Sequence, residues 1–174
     1  VIYDDHDSES LVKRIMKERM VDEERIKPRA VMSAISNSKN RVRSAENLMK
    51  MASRPFDKTV AEIYAEYEKR LKQNNALDFD DLLLCAVRLF QEQPQVLDYY
   101  QEKWRFISVD EYQDTNHVQY ILTKLLASKY RNLCVIGDSD QSIYGFRGAD
   151  ISNILDFEND YPDAKLIKLE QNYR

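Results

Sequence analysis

Residues 1 to 104 contain no glycine, and all three glycines of the chain fall after residue 136. Glycine is the residue that most readily takes tight turns and left-handed backbone, so a long stretch without it has few ways to build short strands joined by hairpins. This stretch is dense in Glu, Lys, Arg, Leu, Met and Ala, which lose least on entering a helix. The first half of the chain therefore reads as a helical bundle.

Local signals place the helices. Asp7 or Ser8 can cap one that carries Leu11, Val12, Ile15 and Met16 on one face, and Pro28 suits the first turn of the next, with Val31, Ala34 and Ile35. Thr59 can cap a long helix bearing Val60, Ile63, Tyr64, Tyr67 and Leu71, ending near Gln73-Asn74-Asn75. Asp78 or Asp80 can cap a helix holding Leu82, Leu83, Ala86, Val87 and Phe90, and Pro94 opens a last one with Val96, Leu97, Tyr99 and Tyr100.

From Trp104 the texture changes. Phe106–Val109 and Leu133–Ile136 read as short apolar strands, with a helical pattern from Val118 to Ala127 between them, and Leu166–Leu169 reads as a third strand. Strand, helix, strand, helix, strand is the order of a parallel sheet with crossover helices, whose ligands sit beyond the carboxyl ends of the strands. The fold class is α/β, mainly helical over 1–104 and a partial parallel sheet over 105–174.

Hydrophobic residues make up 43% of the 174, enough for one domain or two small ones. Charged residues make up 32% and no long apolar run occurs, which predicts a soluble, cytoplasmic chain with no membrane span and no signal peptide. Cys85 and Cys134 each lie in an apolar stretch and read as buried thiols in a reducing compartment. His6 and His117 have no ligand-spaced partner, which argues against zinc.

The net charge of −4 hides a local reversal. Between Lys27 and Arg54 stand seven basic residues (Lys27, Arg29, Lys39, Arg41, Arg43, Lys50, Arg54) against one acid, Glu46. Such a segment either contacts nucleic-acid phosphates, with salt-dependent affinity, or is a solvated helical face whose balancing acids lie elsewhere in the fold.

The two strand ends carry the chemistry. Asp110 and Glu111 follow the first strand, and Gly137-Asp138 with nearby Gln141 follow the second. A carboxylate at a strand end can hold Mg²⁺ directly or through water while its neighbour orients or deprotonates a water, the division of labour that phosphoryl transfer needs. The plainer reading is an acidic loop that caps the helix beginning near Asp114 or Thr115.

Five segments in order and spacing settle a resemblance. Leu77-Asp-Phe-Asp-Asp-Leu-Leu83, Asp110-Glu-Tyr-Gln-Asp-Thr115, Gly137-Asp-Ser-Asp-Gln-Ser-Ile-Tyr144, Phe146-Arg-Gly-Ala149 and Leu169-Glu-Gln-Asn-Tyr-Arg174 resemble the UvrD/PcrA/Rep family of superfamily 1 DNA helicases, PcrA-like members most. Phe157-Glu-Asn-Asp-Tyr-Pro162 fits the same spacing. The resemblance implies a helical insertion subdomain (1B-like) over 1–104 and part of a RecA-like motor domain (1A-like) over 105–174. It implies that Asp110 coordinates Mg²⁺, that Glu111 activates the hydrolytic water, that Gln141 senses the γ-phosphate of ATP, and that Arg174 reaches that phosphate as a finger. Tyr144, Phe146 and Arg147 match the segment that grips single-stranded DNA, where aromatic stacking provides ~1–3 kcal/mol per base without sequence preference. Many relatives carry tryptophan at the position of Phe146, so the smaller ring implies a weaker grip.

One family motif is absent. None of Gly137, Gly145 and Gly148 is followed by lysine, so no Gly-x-x-x-x-Gly-Lys-Ser/Thr phosphate loop occurs. The resemblance therefore implies an internal fragment of a larger ATP-dependent 3′-to-5′ helicase of DNA repair or replication, inactive alone and with neither ATP nor Mg²⁺ expected on it. Its implied partners are single-stranded DNA, a duplex junction met by Lys39, Arg41, Arg43 and the rest of the basic segment, and the remaining parts of the parent. Two other functions stay open: a stand-alone DNA- or protein-binding module on the same fold, and a metal-dependent nuclease using Asp110, Glu111 and Asp138. A sheet lacking its phosphate-loop strand would expose an edge and an apolar face, which predicts partial disorder of the second half or self-association.

Overall fold

The computed structural model describes residues 1–138, 157 and 159–168. Six helices come first: α1 (Asp5–Glu18), α2 (Pro28–Asn40), α3 (Ala45–Met51), α4 (Pro55–Gln73), α5 (Phe79–Glu92) and α6 (Pro94–Lys103). They are followed by β1 (Ile107–Val109), a 3-10 turn (Tyr112–Asp114), α7 (His117–Ala127) and β2 (Leu133–Val135). The described chain is thus mostly helical with a two-stranded parallel sheet, consistent with an α/β class.

Capping explains where the helices start. Asp4 caps α1 and Asp78 caps α5, each in a reciprocal box in which the third helical residue, Asp7 or Asp81, returns a bond to the cap amide. Asp7 and Ser8 thus lie inside α1 rather than at its cap. Pro55 opens α4 a turn earlier than Thr59, whose hydroxyl donates to the Pro55 carbonyl at 3.1 Å. α3, capped by Ser44, carries no apolar stripe; of its seven residues Ala45 alone is buried.

The missing glycines show at the helix ends. α1, α2 and α4 each finish with two bonds from the residues past the cap back into the last turn, with Met20, Val42 and Asn75 in the left-handed conformation that glycine usually takes. At the end of α2, for example, the Arg43 amide donates to Ser38 at 2.8 Å and the Val42 amide to Lys39 at 2.9 Å. Left-handed backbone costs an L-residue about 1–2 kcal/mol, and most for a β-branched one such as Val42.

Two apolar clusters hold these elements. The larger joins Leu11, Val12, Ile15 and Met16 of α1 to Val31 and Ile35 of α2 and to Val60, Ile63, Tyr64, Tyr67 and Leu71 of α4. At about 1.5–3 kcal/mol per buried large side chain, it is the main source of stability in this half. The smaller joins Leu84 and Val87 of α5 to Val118 of α7, with Val42, Leu83, Ile121, Leu122 and Leu125 packed around it. Apolar packing therefore runs across residue 104 without a break.

β1 and β2 pair in parallel with α7 as the crossover, Ile107 facing Leu133, Ser108 facing Cys134 and Val109 facing Val135. Ser108 and Cys134 form one exposed row, so Cys134 is a surface thiol, contrary to the expectation from its apolar neighbours; Cys85 is half-buried and both are free. Leu166 to Lys168 form no strand among the described residues, and Leu166 and Ile167 are exposed; Leu169 lies outside them. No helix among the described residues is long and apolar enough to cross a membrane.

Candidate active site

The end of β1 is shaped by one unusual residue. Glu111, directly after the strand and Asp110, lies in left-handed backbone at φ 50°, ψ 42°. Such geometry costs about 1–3 kcal/mol and persists only where its surroundings fix it. Here the Glu111 amide donates to Asp110 Oδ1 at 2.9 Å, and its carbonyl accepts from the Asp114 amide at 2.8 Å. Asp110 and Glu111 are both exposed.

Gln113 joins the two strand ends. Its Nε2 donates to Glu111 Oε2 at 2.7 Å, and its Oε1 accepts from the Asp138 amide, just past β2, at 3.0 Å. Gln113 is itself 1% exposed, so a buried amide links the candidate base to the loop after the second strand. The motif had shown Gln113 without a role; the signal was an amide, which donates and accepts at once, two residues beyond the acid.

Tyr112 anchors the turn from beneath. Its amide donates to the Ile136 carbonyl at 2.9 Å, and the Ile136 amide donates to Val109 at 2.8 Å, continuing the sheet bonding around the acids. Its ring packs edge-on against Phe157, 5.8 Å between centroids, and burial pushes its phenol up to about 12. The Thr115 hydroxyl donates to the Tyr112 carbonyl at 2.7 Å, and Asn116 caps α7 through a bond from the Gln119 amide at 2.9 Å. The cap of α7 is therefore Asn116, and Asp110 and Glu111 are spared that task.

The donor set fits a hard divalent cation. Asp110, Glu111 and Asp138 offer oxygen only, and one or two carboxylates suffice for Mg²⁺, which retains waters; the three do not gather within ligand distance of one another. Asp114 Oδ1 is buried and has no hydrogen-bond partner among the described residues. The one trio of candidate ligands whose donor atoms gather among the described residues, Asp4, His6 and Asp7, is exposed at the start of α1, where Asp4 and Asp7 already serve the capping box. Gln141, Tyr144, Phe146, Arg147 and Arg174 lie outside the described residues.

The basic segment does not form one surface. Lys39 is fully buried: its ammonium donates to Asp78 at 2.6 Å and Asp81 at 2.7 Å, so it is a structural cation and cannot meet DNA, contrary to the reading from charge alone. Lys50 pairs with Glu46, Arg54 with Asp57 and Arg29 with Glu9. Lys27, Arg41 and Arg43 make no ion pair among the described residues. Lys27 precedes α2 and the two arginines follow it, roughly 20 Å apart at 1.5 Å rise per residue.

Comparison with known proteins returns one consistent answer. The family model described as UvrD/REP helicase N-terminal domain matches residues 1–162. The ATP-dependent DNA helicase PcrA of Staphylococcus epidermidis is 53% identical over 173 residues, covering 99% of this chain and 24% of that protein. The Bacillus subtilis protein of the same name is 51% identical over 173 residues, 99% of this chain and 23% of its own length. The chain spans about a quarter of the length of the curated relatives it matches.

Proposed function

Because the chain belongs to the UvrD/REP helicase N-terminal domain family, we propose that it supplies the water-activating half of the ATPase site, and a DNA contact, to an ATP-dependent 3′-to-5′ DNA helicase. The observation that carries this reading is Glu111, held in left-handed backbone after β1 and tied by Gln113 to the Asp138 amide. A capping loop has no need of that geometry, since Asn116 performs the capping.

Asp110 would hold Mg²⁺, which would supply positive charge to offset that of the phosphates. Glu111 would take the proton from the attacking water, its carboxylate aimed by the Gln113 amide. Gln141 and Arg174 would meet the γ-phosphate, and Tyr144, Phe146 and Arg147 would hold single-stranded DNA. The sequence has no phosphate-cradling loop, so hydrolysis requires that loop from elsewhere and the 174 residues alone stay inactive. Residues 1–104 act as the insertion subdomain and 105–174 as part of the RecA-like motor domain, with Arg41 and Arg43 as the duplex contact near the junction, and DNA repair or replication as the setting.

Grafting tests this reading. The matching residues of the Bacillus subtilis relative are replaced by this chain, and ATP-dependent unwinding of a 3′-tailed duplex is measured. Retained unwinding is expected; a graft that folds and binds ATP and DNA but neither hydrolyses nor unwinds overturns it.

A further inference from the structure

The arginine turn and the acids are joined by a short run of partly buried polar bonds. Asn40, the last residue of α2, is 8% exposed. Its Oδ1 accepts from Asn116 Nδ2 at 2.7 Å, and its Nδ2 donates to Asp80 Oδ1 at 3.1 Å and to Ser36 Oγ at 3.2 Å. One side chain thus connects the end of α2, the first turn of α5 and the cap of α7.

Each end of this run meets a strained backbone. On one side Asn40 is followed by Arg41, Val42 and Arg43, with Val42 at φ 55°. A β-branched residue in that region is a genuine outlier, kept there by the two bonds that close α2 and by Val42 packing into the cluster between α5 and α7. On the other side Asn116 follows Thr115, whose hydroxyl holds the 3-10 turn at Tyr112, and that turn begins at the left-handed Glu111. Apolar packing alone would permit small shifts between α2 and α7, whereas a partly buried amide pair fixes their register, because separating it leaves the buried Asn40 amide unpaired.

We propose that Asn40 is a positioning residue for the Glu111 turn, transmitting the placement of the Arg41–Val42–Arg43 turn through Asn116 to the acids. This rests on the reading of Glu111 as the base and of Arg41 and Arg43 as phosphate contacts. A nucleic-acid phosphate seated on the arginine turn would then bias the carboxylate of Glu111 through four residues and two side-chain amides.

Two variants separate this role from stability. Asn40→Leu removes all three of its side-chain bonds. Asn116→Asp keeps the cap, since aspartate accepts equally well from the Gln119 amide, but sets an oxygen against Asn40 Oδ1. Amide hydrogen exchange of the 174-residue chain is read at Tyr112, Asp138 and Gln119, against Ile35→Val, a core change in the same helix. Both asparagine variants are expected to raise exchange at Tyr112 and Asp138 at least tenfold beyond any change that their own global stability accounts for. Gln119 should stay protected in Asn116→Asp.

In the grafted helicase, Asn40→Leu should lower the DNA-stimulated kcat about tenfold with the KM for ATP within twofold. Exchange at Tyr112 and Asp138 that merely tracks global stability, as in Ile35→Val, overturns the proposal. So does an unchanged kcat for Asn40→Leu in a graft whose Glu111→Gln variant is inactive. A graft in which Glu111→Gln is fully active overturns the reading beneath it instead, while the exchange result still decides whether Asn40 positions the turn.

Discussion

Replacing Lys39 by methionine should be among the most damaging single changes in the helical half. The lysine side chain is 0% exposed and its ammonium lies between two carboxylates, themselves mostly buried. Asp78 Oδ2 also accepts from the Tyr67 hydroxyl at 3.0 Å, and Asp78 Oδ1 caps α5 through the Asp81 amide at 2.9 Å. Methionine fills much of the same volume, so the cost is not a cavity; it is two buried carboxylates left facing each other without a cation. Removing one partner of a buried pair costs about 3–5 kcal/mol, against a total stability of about 5–15 kcal/mol for a domain. With a urea slope of about 2 kcal/mol/M, the unfolding midpoint should fall by about 1.5–2.5 M. Asparagines at 78 and 81 keep the capping oxygens and remove the charges, so Lys39→Met combined with Asp78→Asn and Asp81→Asn should recover at least half of the loss. A single variant within about 1 kcal/mol of the parent, or a triple variant as unstable as the single, would mean that the Lys39 cation does not hold the two carboxylates in place.

Three further outcomes follow from other parts of the structure. Met20 is 91% exposed in left-handed backbone, so Met20→Gly should raise stability by about 0.5–1 kcal/mol, the relief of strain less the greater freedom of unfolded glycine; a loss in urea unfolding would contradict this. Burial holds the Glu68 carboxyl above the usual carboxylate range, with Lys39 and Arg88 only partly offsetting it. The folded state therefore binds the Glu68 proton more tightly than the unfolded one, and the benefit, full below the ordinary glutamate pKa of 4.5, is lost as pH rises through the raised value. Glu68→Gln should thus be more stable than the parent at neutral pH and match it in acid, and a constant difference across the titration would be wrong for this cause. Arg41→Ala with Arg43→Ala should weaken binding to a forked duplex and flatten the salt dependence of log affinity by about two contacts, with no change expected for Lys50→Ala.

Much of the helical half was legible because its signals were local. The spacing of Leu11, Val12, Ile15 and Met16, or of Val60, Ile63, Tyr64, Tyr67 and Leu71, reports one buried face directly. Thr59 misled because a hydroxyl inside a first turn can bond backward to Pro55, and the proline had already set the start. α3 was invisible because a seven-residue helix with one buried residue has no period to detect. Lys39 was hidden in a run of cations, and what distinguished it, Asp78 and Asp81 in one capping box, lies some forty residues away and meets it only in three dimensions.

The strand ends were legible for the same reason that the motif is short. Asp110 and Glu111 follow directly on apolar residues, so their placement beyond β1 needed no tertiary knowledge. The left-handed turn at Glu111 and the Gln113 bridge to Asp138 were not legible, because both depend on how β2 lies beside β1. Leu166 to Lys168 carry strand-forming residues, yet β-propensity expresses packing against neighbours, and Leu166 and Ile167 stay exposed.

The steady-state rate of DNA-stimulated ATP hydrolysis by the grafted helicase, with Glu111 and with Glu111→Gln, tests the central assignment most directly. If Glu111 is the base, glutamine should lower kcat by about 10²–10⁴-fold while ATP and single-stranded DNA still bind with affinities within a few-fold of the parent. A glutamine variant that hydrolyses ATP at the parental rate would contradict the account, and the turn after β1 would then be a structural loop.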